Sequence, residues 1–401
     1  MLGKRQFLKS VGGLALAWAG GTGLGKPAFA QAVTLPFANG ERKLARFPGK
    51  RALIKLTERP PQLETPFAVF DESIITPNDA FFVRYHLAGI PLSIDPDAFR
   101  LEIGGKVDKA LILSLKNLKA MPHHEIVAVN QCSGNSRGFL DPRVPGGQLA
   151  NGAMGNARWT GVLLKTVLNM AGVQATAKQV AFEGLDGPVL PNTPDFAKAL
   201  DIDHARDGEV MLAFAMNGQD IPWLNGYPLR LVVPGYYGTY WVKHLNKITV
   251  MDKIFDNFWM KTAYRIPDNA CACIPPGSKP DKTVPIGRFN VRSFITNLQN
   301  GDTIRAHDTL VRGIAFDGGS GIKEVALSID KGKTWSGTTL GRNLGRYSFR
   351  PWQTRITLAT GTHELMVRAT SMSGEIQPMV ATWNPSGYMR NVVETLTVQA
   401  A

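Results

Sequence analysis

The 401-residue sequence predicts an α+β chain of two domains, a mixed helix-and-strand unit followed by an all-β sandwich of immunoglobulin type. Three observations predict it. The chain is too long for one ordinary core. A stretch rich in proline, Pro275-Pro276-Gly277-Ser278-Lys279-Pro280, divides it. Before that stretch alternating strand patterns mingle with helical spacing, whereas from Phe289 onward only short strands and turns follow. The expected boundaries are 31–275 for the first domain, 276–288 for a linker and 289–401 for the sandwich.

Residues 1–30 stand apart from both domains. Lys4-Arg5-Gln6-Phe7-Leu8-Lys9 precedes a weakly apolar, glycine-rich run from Val11 to Leu24, then Lys26 and the small-residue site Ala28-Phe29-Ala30. This resembles an export signal of the twin-arginine type, with Lys4 in place of the first arginine. The run is too short to span a membrane comfortably. The expectation is cleavage after Ala30, a periplasmic product and no membrane span in it.

Residues 31–75, punctuated by Pro60-Pro61 and Pro66, read as an extended wrapping segment. Next comes the aromatic strand Phe81-Phe82-Val83-Arg84-Tyr85-His86, whose period of two puts Arg84 and His86 on one face. Arginine offers a fork of donors suited to an oxyanion; an exposed strand face accounts for the pattern equally well. Phe99 to Ile103 alternates as a strand, and Ser114 caps a short helix reaching Met121.

Ile126 to Val129 then runs into the polar loop Asn130-Gln131-Cys132-Ser133-Gly134-Asn135-Ser136-Arg137. A thiol where a strand becomes a loop is a place for chemistry, and an inert buried cysteine fits the same spacing. Leu163, Val167, Leu168 and Ala171 recur as a helix closed by Gly172, and Phe182 to Gly187 ends a further strand. Arg230 opens a buried strand that stops at Pro234-Gly235, and Lys243 follows the turn. Two cations about a glycine-bearing turn make a seat for phosphate; two surface cations bordering a core strand are the competing account. Beyond the divide, Thr309 to Phe316, Glu324 to Asp330, Thr354 to Leu358, His363 to Ala369 and Val392 to Val398 read as strands.

The formal charge is +13. Loss of residues 1–30 removes Lys4, Arg5, Lys9 and Lys26 and no acid, so the product stays basic. Without long Lys/Arg tracts this charge favours an acidic protein partner or an anionic substrate over nucleic acid, and a solvated basic surface needs neither. Three cysteines, Cys132, Cys271 and Cys273, are a poor disulfide framework, and Cys271-Ala272-Cys273 is too close for a comfortable bridge. No Cys-x-x-Cys-His occurs, so no c-type haem is expected on this chain.

Together these segments resemble the sulfite oxidase family of molybdenum enzymes, over roughly residues 70–400 and most closely its bacterial periplasmic sulfite dehydrogenases. The resemblance rests on Phe82 to His86, Gln131 to Arg137, Ala157-Arg158-Trp159-Thr160-Gly161, Phe182 to Asp186, Met216-Asn217-Gly218 and Arg230 through Lys243. It implies a mixed molybdopterin-binding domain followed by a sandwich that commonly dimerises. It implies a molybdenum-pyranopterin cofactor, with Cys132 as the metal ligand, a role that suits a soft thiolate. Phe82, Val83, Arg84, Tyr85, His86, Asp186, Asn225, Arg230, Trp241, Val242 and Lys243 fall where the family holds the pyranopterin and its phosphate. Arg84, Arg137 and Tyr264 fall around the sulfite pocket.

The implied activity is oxidation of sulfite to sulfate, with electrons leaving for a separate periplasmic c-type cytochrome. The alternatives are another periplasmic molybdenum oxidoreductase of this fold, acting on sulfoxide or nitrate, or a cofactor-free binding module. Three departures from the animal enzymes affect the anion pockets: Asn225 in place of histidine, Tyr240 in place of arginine, and the turn Gly318-Gly319-Ser320-Gly321 without its arginine.

Overall fold

A computed structural model describes residues 32–401. The export-signal reading of residues 1–30 lies outside the described residues.

The segment expected to wrap instead builds a sheet. Ala32–Thr34, Glu41–Ala45, Leu53–Thr57 and Gln62–Glu64 pair antiparallel in succession, and Val83–Arg84 adds the fifth strand. Pro60 and Pro61 fall in the turn between two strands, where their missing N–H groups cost no ladder bond. Leu53, Leu63, Val83, Tyr85 and Leu224 are buried together against this sheet. The sheet therefore fixes the strand that carries Arg84. That strand is shorter than the aromatic pattern predicts, and His86 lies beyond its end.

Two further sheets form the body of the first domain. His124–Gln131 pairs along its whole length with Met154–Leu163, which pairs with Met211–Met216, and Arg230–Val232 joins the last of these. Val127 through Gln131 are all buried, as a near-continuous apolar run covered on both faces must be. The other sheet runs in the order Ala197–Asp201, Gln179–Gly184, Leu245–Met251, Arg100–Gly105, Leu111–Ser114. Both expected helices form. Ser114 and Asn117 make a reciprocal capping box on Leu115–Lys119, and Leu164–Ala171 buries Leu164, Val167, Leu168 and Ala171 before Gly172 turns left-handed at φ +70°.

The second domain is all strand. Arg292–Ile295, Thr309–Phe316, Arg350–Ile356 and Thr339–Leu340 form one sheet, while Thr303–Ile304, Glu394–Ala400, Gly361–Ser371, Ile322–Ser328 and Ser336–Gly337 form the other. Val311, Val325, Trp352, Leu365, Val367 and Val398 share the core between them.

Between the domains, Thr283–Pro285 pairs back onto Arg265–Pro267. Ile286 and Phe289 join the large core of the first domain, which continues into Phe294, Phe316 and Phe349 of the second. The two units are thus packed through one apolar core. Near this junction the structure corrects the reading of Cys271 and Cys273, which are disulfide-bonded to each other. Ala272 adopts φ +49° and folds the three residues so that the cysteine Cα atoms approach to 5.1 Å.

Candidate active site

Residues from two of the sheets of the first domain, the N-terminal one through Arg84 and that of His124–Gln131 through Asn130 and Arg230, and from the loops around them surround a cavity. Eight of the residues expected at the site line it: Phe82, Arg84, His86, Cys132, Asn225, Arg230, Lys243 and Tyr264. Val83, Tyr85, Trp241 and Val242 are buried outside the lining. Asp186 is also buried away from the lining; burial raises its pKa and Lys243 pulls it back down.

Cys132 follows the fully paired strand His124–Gln131 and is held by its own backbone, its N–H donating to Ala153 O and its carbonyl accepting from Asn135 N–H. It is the free thiol among the described residues, and it is buried. No group of three or more His, Cys, Asp or Glu converges among the described residues, so the chain offers a metal one thiolate rather than a cage.

The cations are arranged around it. The Arg230 guanidinium lies against the rings of both Trp159 and Trp241, at 5.3 and 5.6 Å from their centroids, and donates to Asn225 O. Burial lowers its pKa to about 9. Lys243 donates to Arg84 O at 2.8 Å and sits 4.2 Å from the Tyr85 ring centroid. Burial, with Arg230 adding to it, brings its pKa down to about 7. Burial opposes the charge on Arg84, but Tyr264, Cys132 and Tyr388 together hold that guanidinium more firmly protonated. Arg84, Arg230 and Lys243 form no salt bridge among the described residues, and cations desolvated this far can receive an anion.

Asn225 is not a free hand in the pocket. Its carbonyl accepts from Lys50 Nζ at 2.5 Å and its amide donates to Phe82 O at 3.0 Å, which ties the wall to the N-terminal sheet. Lys50 escaped the sequence reading, because a lone lysine in a glycine-lysine turn carries no motif.

His86 and Tyr264 form a pair across the opposite wall. Burial, reinforced by Arg84, Lys243 and Lys198, depresses the His86 pKa well below its ordinary range, so it is a neutral ring whose Nε2 shares a hydrogen bond with the Tyr264 hydroxyl. Burial raises the Tyr264 pKa, and Arg84 opposes the rise. Its backbone is left-handed at φ +60°, a conformation that a tyrosine holds only when its surroundings impose it.

Arg137 is placed differently from the other expected residues. It is outside the cavity lining, donates from Nε to Ser386 O at 3.0 Å and lies 5.0 Å from the Tyr388 ring centroid. Tyr388 belongs to the second domain, and no motif drew attention to it.

The lining also contains Asn130, Ser133 and Thr239. Both side-chain amide atoms of Asn130, Ser133 Oγ, Thr239 Oγ1 and Arg230 Nε are buried with no hydrogen-bond partner among the described residues. Buried polar atoms are almost always satisfied, so a cluster of orphans around one cavity beside a buried thiol marks the seat of a polar ligand. These donors and acceptors fit a polar, anionic group of pterin and phosphate character that is also bound through sulfur. Asn130 and Ser133 flank Cys132, so the strand-to-loop motif itself carried that signal; Thr239 did not stand out.

Two family profiles match the chain, an oxidoreductase molybdopterin-binding domain over residues 86–259 and a Mo-co oxidoreductase dimerisation domain over residues 283–400. The mitochondrial sulfite oxidase of Homo sapiens is 33% identical over 84% of this chain and 63% of its own length. The sulfite oxidase of Gallus gallus is 30% identical over 86% of this chain and 76% of its own. The chain thus spans less than two thirds of the human relative. The crystal structure of the sulfane dehydrogenase SoxCD from Paracoccus pantotrophus superposes with a TM-score of 0.72 at 26% identity, covering 86% of each chain.

Proposed function

The chain belongs to the sulfite oxidase family of molybdenum enzymes, and from that premise we propose that it oxidises sulfite to sulfate and passes the electrons to a separate c-type cytochrome. The observation that carries this reading is the buried Cys132 thiol ringed by unpaired polar atoms and desolvated cations.

The molybdenum-pyranopterin group, when bound, supplies oxygen-atom transfer and accepts two electrons. Cys132 is its protein ligand, and Asn130, Ser133, Thr239 and Arg230 provide the polar atoms that seat its organic part, with Lys243 neutralising phosphate. Arg84 compensates the charge of a small oxyanion in a water-poor cavity, where such a contact is strongest. His86 holds the Tyr264 hydroxyl at the cavity wall through their hydrogen bond. Phe82 and Leu224 add apolar surface to the cavity lining.

The proposed setting is the periplasm, reached through the signal read in residues 1–30, and the proposed assembly is a homodimer through the second domain. No helix of the described residues is long and apolar enough to cross a membrane. A second reading, oxidation of sulfane sulfur, is favoured by the likeness to SoxCD. Molybdenum analysis of protein from a cofactor-competent host, followed by acceptor reduction with sulfite and with a sulfane compound in parallel, tests both. Stoichiometric metal with sulfite turnover supports the first reading. Turnover with the sulfane compound alone supports the second.

A further inference from the structure

Lys198 is a buried lysine that the reading above leaves unused. It lies on the strand Ala197–Asp201, opposite Phe182 of the neighbouring strand, and its exposure is 0%. It is outside the cavity lining, and no carboxylate pairs with it among the described residues. Its Nζ makes one hydrogen bond, to Trp259 O at 2.7 Å. The same atom lies 4.6 Å from the Tyr240 ring centroid and 5.2 Å from that of Tyr264. A methionine would fill this volume without the cost of desolvating an ammonium. The cation therefore has a task that an apolar side chain does not perform.

We propose that Lys198 is a positioning residue that holds the Tyr264 phenol against His86 from outside the cavity; the inference rests on Tyr264 serving the reaction proposed above. Two contacts define the task. Trp259 belongs to the short helix Phe258–Lys261, which two residues separate from Tyr264, so the bond to its carbonyl ties that helix to the edge strand Ala197–Asp201. The ammonium beside the Tyr264 ring adds a cation–π contact, strong because water is excluded. The residue held in this way has the left-handed backbone, φ +60°, that cannot persist unsupported. Trp259 and Phe196 stack around His86, so the lysine anchors both partners of the hydrogen-bonded pair through one carbonyl.

The test combines a double-mutant cycle with a measurement that needs no turnover. Lys198→Met should lower kcat about ten-fold and leave KM for sulfite within two-fold, because the lysine touches the phenol and not the substrate. In a Tyr264→Phe background the same substitution should cost almost nothing further, since a residue acting through the phenol has nothing left to position. A full additional ten-fold loss in that background, an unchanged kcat in the single variant, or an effect confined to KM would overturn the proposal.

The second arm uses the unsubstituted protein with 13C-labelled lysine. Lys198 and Lys243, the latter beside the Tyr85 ring, should both give lysine Cε resonances upfield of the others, and one of the two should move toward the rest in Tyr264→Leu. A spectrum in which no upfield lysine resonance responds to Tyr264→Leu would overturn the proposal even if Lys198→Met failed to fold. Wild-type turnover with sulfite is read separately, so absence of that activity would count against the enzymatic reading while the spectrum still decided the contact.

Discussion

The rings of Tyr264 and Tyr388 lie parallel, 5.5 Å between centroids and 5° between planes, although one residue comes from the first domain and the other from the second. The face of Tyr388 also meets the Arg137 guanidinium at 5.0 Å. The second domain therefore supports a lining residue, Tyr264, from outside the cavity.

Removing the Tyr388 ring should loosen Arg137 and Tyr264 together. Tyr388→Leu is expected to raise KM for sulfite about five-fold, from the loss of a cation–π contact of about 1 kcal/mol. Steady-state kinetics at fixed ionic strength measures it. A KM indistinguishable from wild type would detach Arg137 from substrate binding.

Arg84 lines the cavity directly, so its loss should cost more. Arg84→Met is expected to reduce kcat/KM roughly 10- to 150-fold, corresponding to a charge-assisted contact of about 1.5–3 kcal/mol. Circular dichroism should remain that of the wild type.

Lys50 predicts how stability depends on pH. Burial lowers its pKa from 10.5 to about 7. Between those values the unfolded chain binds the proton more readily than the folded one, so stability should rise with pH from 7 toward 10, and the full cost of the buried cation is present below pH 7. Lys50→Met should flatten this rise by at most about 4 kcal/mol, apart from a pH-independent penalty for the acceptors on Asn78, Phe81 and Asn225 that lose their donor. Urea unfolding at pH 6, 8 and 10 gives the comparison. An unchanged slope in the variant would mean that another group sets it.

Much of the site was legible in the sequence because its residues sit in short motifs bound to strand ends. Cys132, with Asn130 and Ser133 beside it, follows one strand, Arg84 ends another and Arg230 begins a third. Period two and turn residues therefore locate them before any contact is known. The N-terminal sheet was illegible for a physical reason: its strands are three to five residues long and mostly half-exposed, too brief to show alternation. Lys50, Lys198 and Tyr388 act across the fold, on partners 175, 61 and 124 positions distant, and no local pattern records such contacts. The Cys271–Cys273 bridge was missed because it depends on a positive φ at Ala272, which an alanine does not advertise.

If the proposed cytochrome acceptor presents an acidic face to this basic chain, electron transfer between them should feel salt. Surface charges are screened within about 8 Å at physiological ionic strength, so cytochrome reduction should slow as salt rises, while turnover with a small uncharged acceptor changes much less. Equal salt dependence of the two rates would assign the effect to sulfite binding and remove the acidic partner.

The central claim is that sulfite is oxidised at a molybdenum centre ligated by Cys132. Sulfite-dependent reduction of a c-type cytochrome, measured for wild type and Cys132→Ser with molybdenum content determined on both, addresses it directly. The expected result is turnover by metal-replete wild type and near-complete loss in a folded Cys132→Ser variant, because a hydroxyl is a poor soft donor. Substantial sulfite oxidation by the serine variant, or none by wild type carrying stoichiometric molybdenum, would contradict it.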